Sequence, residues 1–244
     1  MEYHWDWKVL LSPVPTGETT YLGWLLAGLR VTVALSLTSW AIALLMGTAM
    51  GVLRTVPDRR LSAIAAAYVE IFRNVPLLAQ LFIWYFVVPE LVPFGTAFKQ
   101  MDPPLQQFLA SMTCLGLFTG ARVCEQVRAG IQSLPPGQKN AGLALGFTLP
   151  QTYGHVLLPM AGRIILPPLT SEFLNVIKNS AVCSTVGLLE LTAQGRQLVD
   201  YTAQAYESFI AVTVLYLLLN LTVMLLMRLV ERRARIPGYI GAEK

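Results

Sequence analysis

The chain has 244 residues, of which 55% are apolar and only 13% charged, about half the ~25% charged share of an ordinary globular protein. So few charges cannot clothe a soluble surface, and so much apolar content excludes disorder; the composition belongs in a bilayer. The three cysteines, Cys114, Cys124 and Cys183, are too few for a disulfide-stapled secreted domain and lack metal or redox spacing, so they read as small buried hydrophobes.

A helix rises ~1.5 Å per residue and the hydrocarbon layer is ~30 Å thick, so about 20 apolar residues make one crossing. In chain order, residues 22–53 carry one charge, Arg30, and exceed the length a bilayer needs. Residues 63–88 hold Glu70 and Arg73 before a clean run from Val75, and Pro76 is expected to kink that crossing. Glu70 and Arg73 stand three apart, where a helix can pair them, and are read as scaffold with Pro76. Residues 103–121 are uncharged and their first residues read as a loop, residues 164–187 contain Glu172 and Lys178, and residues 208–227 have no charge at all. The expected fold is therefore all-α: a polytopic membrane protein of about five transmembrane helices, with a segment 1–21 before the bundle, the bundle at 22–230 and a tail at 231–244. Gly47 with Gly51, and Gly116 with Gly120, offer small-xxx-small faces on which helices can approach closely in lipid.

Charge sets the expected orientation. The segments 54–62, 122–163 and 228–244 hold twelve of the 18 basic residues and four acids, whereas 1–21, 89–104 and 188–207 hold three basic residues and eight acids. By the positive-inside rule the N-terminus lies outside and the C-terminus in the cytoplasm, which five crossings satisfy. Residues after Met1 lack a basic stretch and short apolar core, so no cleavable signal peptide is expected and the first crossing inserts the chain.

The segment 122–163 is the most informative. Pro135 and Pro136 place a helix start, 138–145 reads as a short helix, and Gly146 suits a left-handed cap. Thr148 and Gln151 make a capping-box signature for a second short helix ending before Pro159. The result is a helical hairpin at the cytoplasmic surface, rich in Ala and Gly, whose backbone can lie close in a partner's groove. Its sequence resembles the EAA loop of binding-protein-dependent ABC permeases: Asn140, Ala141 and Gly142, then Gly146 after three residues, then Val156, Leu158 and Pro159 after nine more. The runs YVEIFRNVPLLAQLF, GIQSLPPGQ and LPPLTSEFLNVIKNSAVCSTVGLLELT are similar to the polar amino-acid branch of that family, and NAGLALGFTLPQTY to its glutamate/aspartate permeases. The resemblance spans residues 20–237. It departs at Asn140, where the family has Glu, and at Gly142, where it has Ala; docking is retained without the carboxylate's ion pair.

What the resemblance implies is a type I importer permease that docks an ABC ATPase dimer through Asn140, Ala141, Gly142, Ala144, Gly146, Leu158 and Pro159. It also implies a second permease subunit, a homologue or another copy, and a periplasmic amino-acid-binding protein that delivers a polar amino acid, with lipid around the bundle and no nucleic acid. The location implied is the bacterial inner membrane. The chain has no phosphate-binding loop of its own, so ATP and magnesium are expected on the partner ATPase, and no catalytic or metal site is expected here. Glu172, Asn175 and Asn179 recur at spacings of three and four beside Lys178 and Ser180; this polar face is read as a substrate path, and a Lys snorkelling to an interface or an inter-subunit ion pair with Glu172 explains it equally well. An amide at Asn179 beside Lys178 suits an acidic or uncharged side chain. A secondary transporter or channel would need inverted repeats, and a membrane enzyme a His-Glu-x-x-His or Gly-x-Ser-x-Gly constellation; neither stands in the sequence, where His4 and His155 are isolated.

Overall fold

The computed structural model describes residues 3–15, 17 and 19–234. Among them no β-strand forms, and the all-α expectation holds. A short 3₁₀ turn, Trp7–Leu11, precedes α1, Tyr21–Leu53, whose 33 residues extend about 50 Å. Next come α2, Arg59–Asn74, started by the Asp58 carboxylate accepting from the amides of Arg60 and Leu61, and α3, Leu77–Phe82. A wide π turn, Ile83–Val87, joins α3 to α4, Val88–Leu91; α5, Gly95–Lys99, and α6, Pro103–Gln132, follow. The hairpin holds α7, Pro136–Ala144, and α8, Leu149–Thr152, and a second π turn, Tyr153–Leu157, leads into α9, Leu158–Asn179. A 3₁₀ segment, Ser180–Val186, ends at Gly187 in the left-handed region, φ 92°, before α10, Leu191–Thr202, and α11, Ala205–Ala234.

Each of the five expected crossings coincides with helix, with three corrections to the crossings and one to the hairpin. The 63–88 run is broken rather than kinked: Val75 is extended, at ψ 130°, because a residue before proline is pushed out of the α region, and Pro76 itself stands at ψ 138° ahead of α3. The 103–121 crossing has no loop-like start and continues eleven residues further, to Gln132. The crossing expected at 164–187 begins at Leu158, contains Pro167 and Pro168, and gives up α-helix at Asn179. The short helix expected to end before Pro159 instead runs through the π turn into α9. By length and composition, α1 and α11 can each cross a membrane, and α2 with α3 and α4 can count as a third, broken span. The tail expected at 231–244 lies outside the described residues from 235 onward.

Both π turns stand one residue ahead of a proline. Val88 and Leu158 donate back five residues, to Ile83 and Tyr153, and Pro89 and Pro159 follow them. Proline has no N–H and its ring collides with the carbonyl four residues back, so a surplus residue in the preceding turn removes the collision without ending the helix.

The chain forms two compact units. One comprises the segment ending at Ser39, Pro76–Leu115 and Asn175–Thr222. Its interior has two clusters, one around Leu35, Leu81, Leu115 and Cys183 and the other around Tyr21, Leu25, Leu191 and Leu198. The other unit comprises Trp40–Val75, Gly116–Leu174 and the segment from Val223, with a core of Ala43, Val123, Val127, Tyr153, Leu157 and Ile165. Within it α1 and α6 meet at the glycines: a Cβ on Gly47 would stand 2.5 Å from Val123, and one on Gly51 2.6 Å from Val127. The small-residue stripe read from the sequence is thus a helix contact here. All three cysteines are buried, as expected.

Candidate functional site

The helical hairpin expected from sequence forms from the cues that announced it. Pro135 is extended and Pro136 opens α7, where a missing N–H costs nothing. Gly146, at φ 86°, turns the chain while its N–H donates to Leu143 and that of Phe147 to Gly142. Thr148 then closes a capping box with Gln151: the Thr148 amide donates to Gln151 Oε1 at 2.8 Å, and the Gln151 amide to Thr148 Oγ1 at 3.4 Å.

The two short helices pack on one contact. Gly142 is buried, and a Cβ there would stand 2.8 Å from Thr152 Cγ2, so its smallness serves the inside of the hairpin. Asn140, Ala141 and Ala144 are exposed, as are Leu143, Leu145 and Phe147, leaving an apolar patch unpaired on the chain's own surface. Pro159 is exposed, whereas Leu158 packs on the core cluster. Sequence reasoning missed Tyr153. Its phenol donates to the Thr55 carbonyl at 2.8 Å and lies 3.0 Å from Thr55 Oγ1, tying the hairpin to the chain just after α1.

The charged residues of the same unit also settle into place. Glu70 accepts from the Asn74 amide at 2.7 Å instead of pairing with Arg73, correcting the expected i,i+3 pair. Glu125 is held by Arg54 and by Arg128, the latter at 2.8 Å, a network that the spacing of Glu125 and Arg128 on one helix face foreshadows. Glu172 Oε2 is buried without a hydrogen bond; its nearest cation is Arg122 Nη1 at 3.9 Å, and Arg122 lies over the Phe118 ring at 5.1 Å. Arg73, Arg122, Glu125, Gln126 and Glu172 line one cavity of about 260 Å³.

The remaining residues of the expected substrate path belong to the other unit. Asn175 and Asn179 are half-buried, Lys178 is exposed, and the buried Ser180 hydroxyl donates to the Ile177 carbonyl at 2.7 Å. Sequence reasoning also missed Glu190 in this unit. It is fully buried, caps α10 by accepting from the amides of Thr192 at 3.0 Å and Ala193 at 2.8 Å, and accepts from the Tyr216 phenol at 2.8 Å. Its burial raises the carboxyl above the ordinary range, partly offset by these donors.

The family described as binding-protein-dependent transport system inner membrane component matches residues 21–236. This chain belongs to that family. The glutamate/aspartate import permease protein GltJ of Escherichia coli (strain K12) is 57% identical to it over 246 residues, spanning 100% of each chain. The probable glutamine ABC transporter permease protein GlnM of Bacillus subtilis (strain 168) is 34% identical over 84% of this chain and 91% of its own. Among solved structures, an amino acid ABC transporter crystallised with histidines superposes with a TM-score of 0.74 at 31% identity, over 87% of this chain and 95% of that one. An inward-facing form of the MetNI methionine ABC transporter shares the fold at a TM-score of 0.74 and 24% identity, over 88% of this chain and 98% of that one. For an inner-membrane component, the exposed leucines of α11, among them Leu217, Leu218, Leu221 and Leu225, have a natural environment in lipid or a neighbouring subunit.

Proposed function

We propose that this chain is the permease subunit of an ATP-driven, binding-protein-dependent importer of acidic amino acids, glutamate and aspartate. The observation that carries the reading is the 57% identity to GltJ over the whole of both chains. An ABC ATPase pair, holding ATP and magnesium, grips the patch of Asn140, Ala141, Ala144, Leu143, Leu145 and Phe147; Gly142 and Gly146 shape that patch from within, and Leu158 and Pro159 join it to α9. A second permease subunit completes the path, and an external binding protein supplies the amino acid. The N-terminus lies outside and the C-terminus in the cytoplasm, so the hairpin faces the ATPase. ATP-driven closure of the ATPase pair pulls the hairpin, and the bundle exchanges one opening for the other.

Glu172, Asn175, Lys178, Asn179 and Ser180 are assigned to the substrate path. Glu70, Arg73 and Pro76 form the scaffold around the break between α2 and α3. The decisive experiment co-purifies the chain with its co-expressed neighbours, reconstitutes them in liposomes and measures which labelled amino acid stimulates ATP turnover with the binding protein present. Stimulation and uptake with glutamate and aspartate are expected. Stimulation by glutamine or another neutral amino acid alone overturns the substrate assignment, and uptake that survives ATP depletion but collapses with an ion gradient overturns the transport class.

A further inference from the structure

The segment ahead of α1 lies before the residues that the family description matches, and it carries an inference that goes beyond the transport reading. Its sequence alternates: Tyr3, Trp5 and Trp7 stand between the exposed polar residues His4, Asp6 and Lys8. Successive side chains of an extended stretch point opposite ways, which gathers the rings on one side. Trp5 and Trp7 stack with centroids 5.8 Å apart, and Tyr3 stands edge-on to Trp5 at 5.2 Å and to Tyr206 of α11 at 4.5 Å. The segment is fastened to the fold. The buried Glu207 carboxylate accepts from the Tyr3 phenol and, at 2.7 Å, from the Asp6 amide, while Val9 and Val14 are buried with Leu25, Leu198 and Val212.

This attachment holds large rings on the surface. Trp5, Trp7 and Tyr206 are 56%, 48% and 57% exposed, and neither indole N–H is hydrogen-bonded among the described residues. A ring with an apolar body and an unsatisfied polar edge is at home where hydrocarbon meets water. Position along α11 puts the cluster at that level. Residues 208–227 are twenty without a charge, about 30 Å of helix and the thickness of the hydrocarbon layer, and charge resumes at Arg228. Tyr206 stands two residues, about 3 Å, outside that run. From it Ile210, Val214, Leu217 and Leu221 continue one exposed face at spacings of three and four, so the rings terminate an apolar stripe on a helix able to span the membrane. A second aromatic group marks the start of α1, where Trp24 is edge-on to Tyr21 and to Tyr201, each at 5.5 Å. We propose that Trp5, Trp7 and Tyr206 form an interfacial anchor, seated in the headgroup layer of the bilayer with the indole N–H groups on lipid phosphate or ester oxygens.

The test uses the assembled transporter in phosphatidylcholine liposomes whose acyl chains carry bromine, a contact quencher of indole fluorescence, either near the ester or near the chain end. Subtracting the emission of the Trp5→Phe/Trp7→Phe complex from that of the wild type isolates this pair from every other tryptophan. Trp5→Phe and Trp7→Phe taken singly give the same reading should the double variant assemble poorly. The pair is expected to emit to the blue of an indole in water, to lose more emission to bromine near the ester than to bromine at the chain end, and to be shielded from aqueous iodide. Quenching by iodide with none from either lipid overturns the anchor, as does quenching mainly by bromine at the chain end, which would sink the rings into hydrocarbon. Shielding that appears only when the binding protein is added assigns the face to that protein, and shielding from both iodide and lipid in its absence assigns it to a neighbouring subunit; either result overturns the proposal.

Discussion

The phenol of Tyr153 donates to the carbonyl of Thr55 across 2.8 Å, joining the π turn that follows α8 to the chain just beyond α1. A force applied to the hairpin therefore reaches α1 through a hydrogen bond as well as through α9. Tyr153→Phe removes only the hydroxyl and leaves the ring in its core cluster, at a cost of about 1 kcal/mol in stability. The ATPase should stay attached, while amino acid transported per ATP hydrolysed falls. Unchanged coupling measured in liposomes would show that α9 alone transmits the motion.

Gly142 and Thr152 set the spacing of the two hairpin helices. Thr152 is buried and β-branched, and its hydroxyl is held by the Thr148 carbonyl at 3.0 Å, so it cannot move aside for a new side chain. Gly142→Val should destabilise the hairpin by about 1–3 kcal/mol and reduce ATPase co-purification. Thr152→Ser, which deletes the methyl group nearest position 142, should restore part of the smaller loss expected of Gly142→Ala. Full ATPase retention by Gly142→Val would contradict this geometry.

Where α1 crosses α6, Gly47 would place a Cβ 2.7 Å from the Gly120 carbonyl, and Gly51 one 2.9 Å from that of Cys124. Backbone atoms cannot swing away as a side-chain tip can. Gly47→Val and Gly51→Val should each lower the amount of folded chain in the membrane and its melting temperature in detergent, with the double variant worse than either. Gly137→Val, in the open, serves as the comparison and should melt as the parent does.

The raised Glu190 carboxyl gives a pH dependence. A carboxyl whose native pKa exceeds its unfolded value binds its proton more tightly when folded. Its contribution to stability is complete below the ordinary carboxylate range and fades as pH rises through the native pKa. Wild-type complex should lose melting temperature as pH rises above the ordinary carboxylate range, and Glu190→Gln should flatten that slope although its weaker cap lowers the acidic plateau. Parallel slopes for the two proteins would refute the sign.

How much of this was legible in the sequence depended on the range of the interaction. The Gly146 turn, the Thr148 capping box and the Pro136 start are decided within four residues, and all three stand where the spacing put them. The continuation of α6 past Ala121 was hidden because Arg122, Glu125 and Arg128 looked like an exit from the bilayer. Their partners, Arg54 and Glu172, are distant in sequence, and only the folded chain shows that they keep these charges on a helix. The position of α10 was hidden for a related reason: its start rests on Glu190, whose burial follows from Tyr216 and from the Leu191 amide donating to Thr32 Oγ1 at 3.2 Å. Pro159 was visible as a helix breaker, but the π turn that lets the helix pass it leaves no signature in residue spacing.

That turn at Tyr153–Leu157 fixes the phase between α9 and everything on its N-terminal side. Each residue of an α-helix advances the chain by ~1.5 Å and about 100° of rotation, so one residue more or fewer there re-aims Leu143, Leu145 and Phe147 by more than a quarter circle. The azimuth at which the permease offers its handle is therefore counted out in residues, and substitutions that preserve the count preserve the aim.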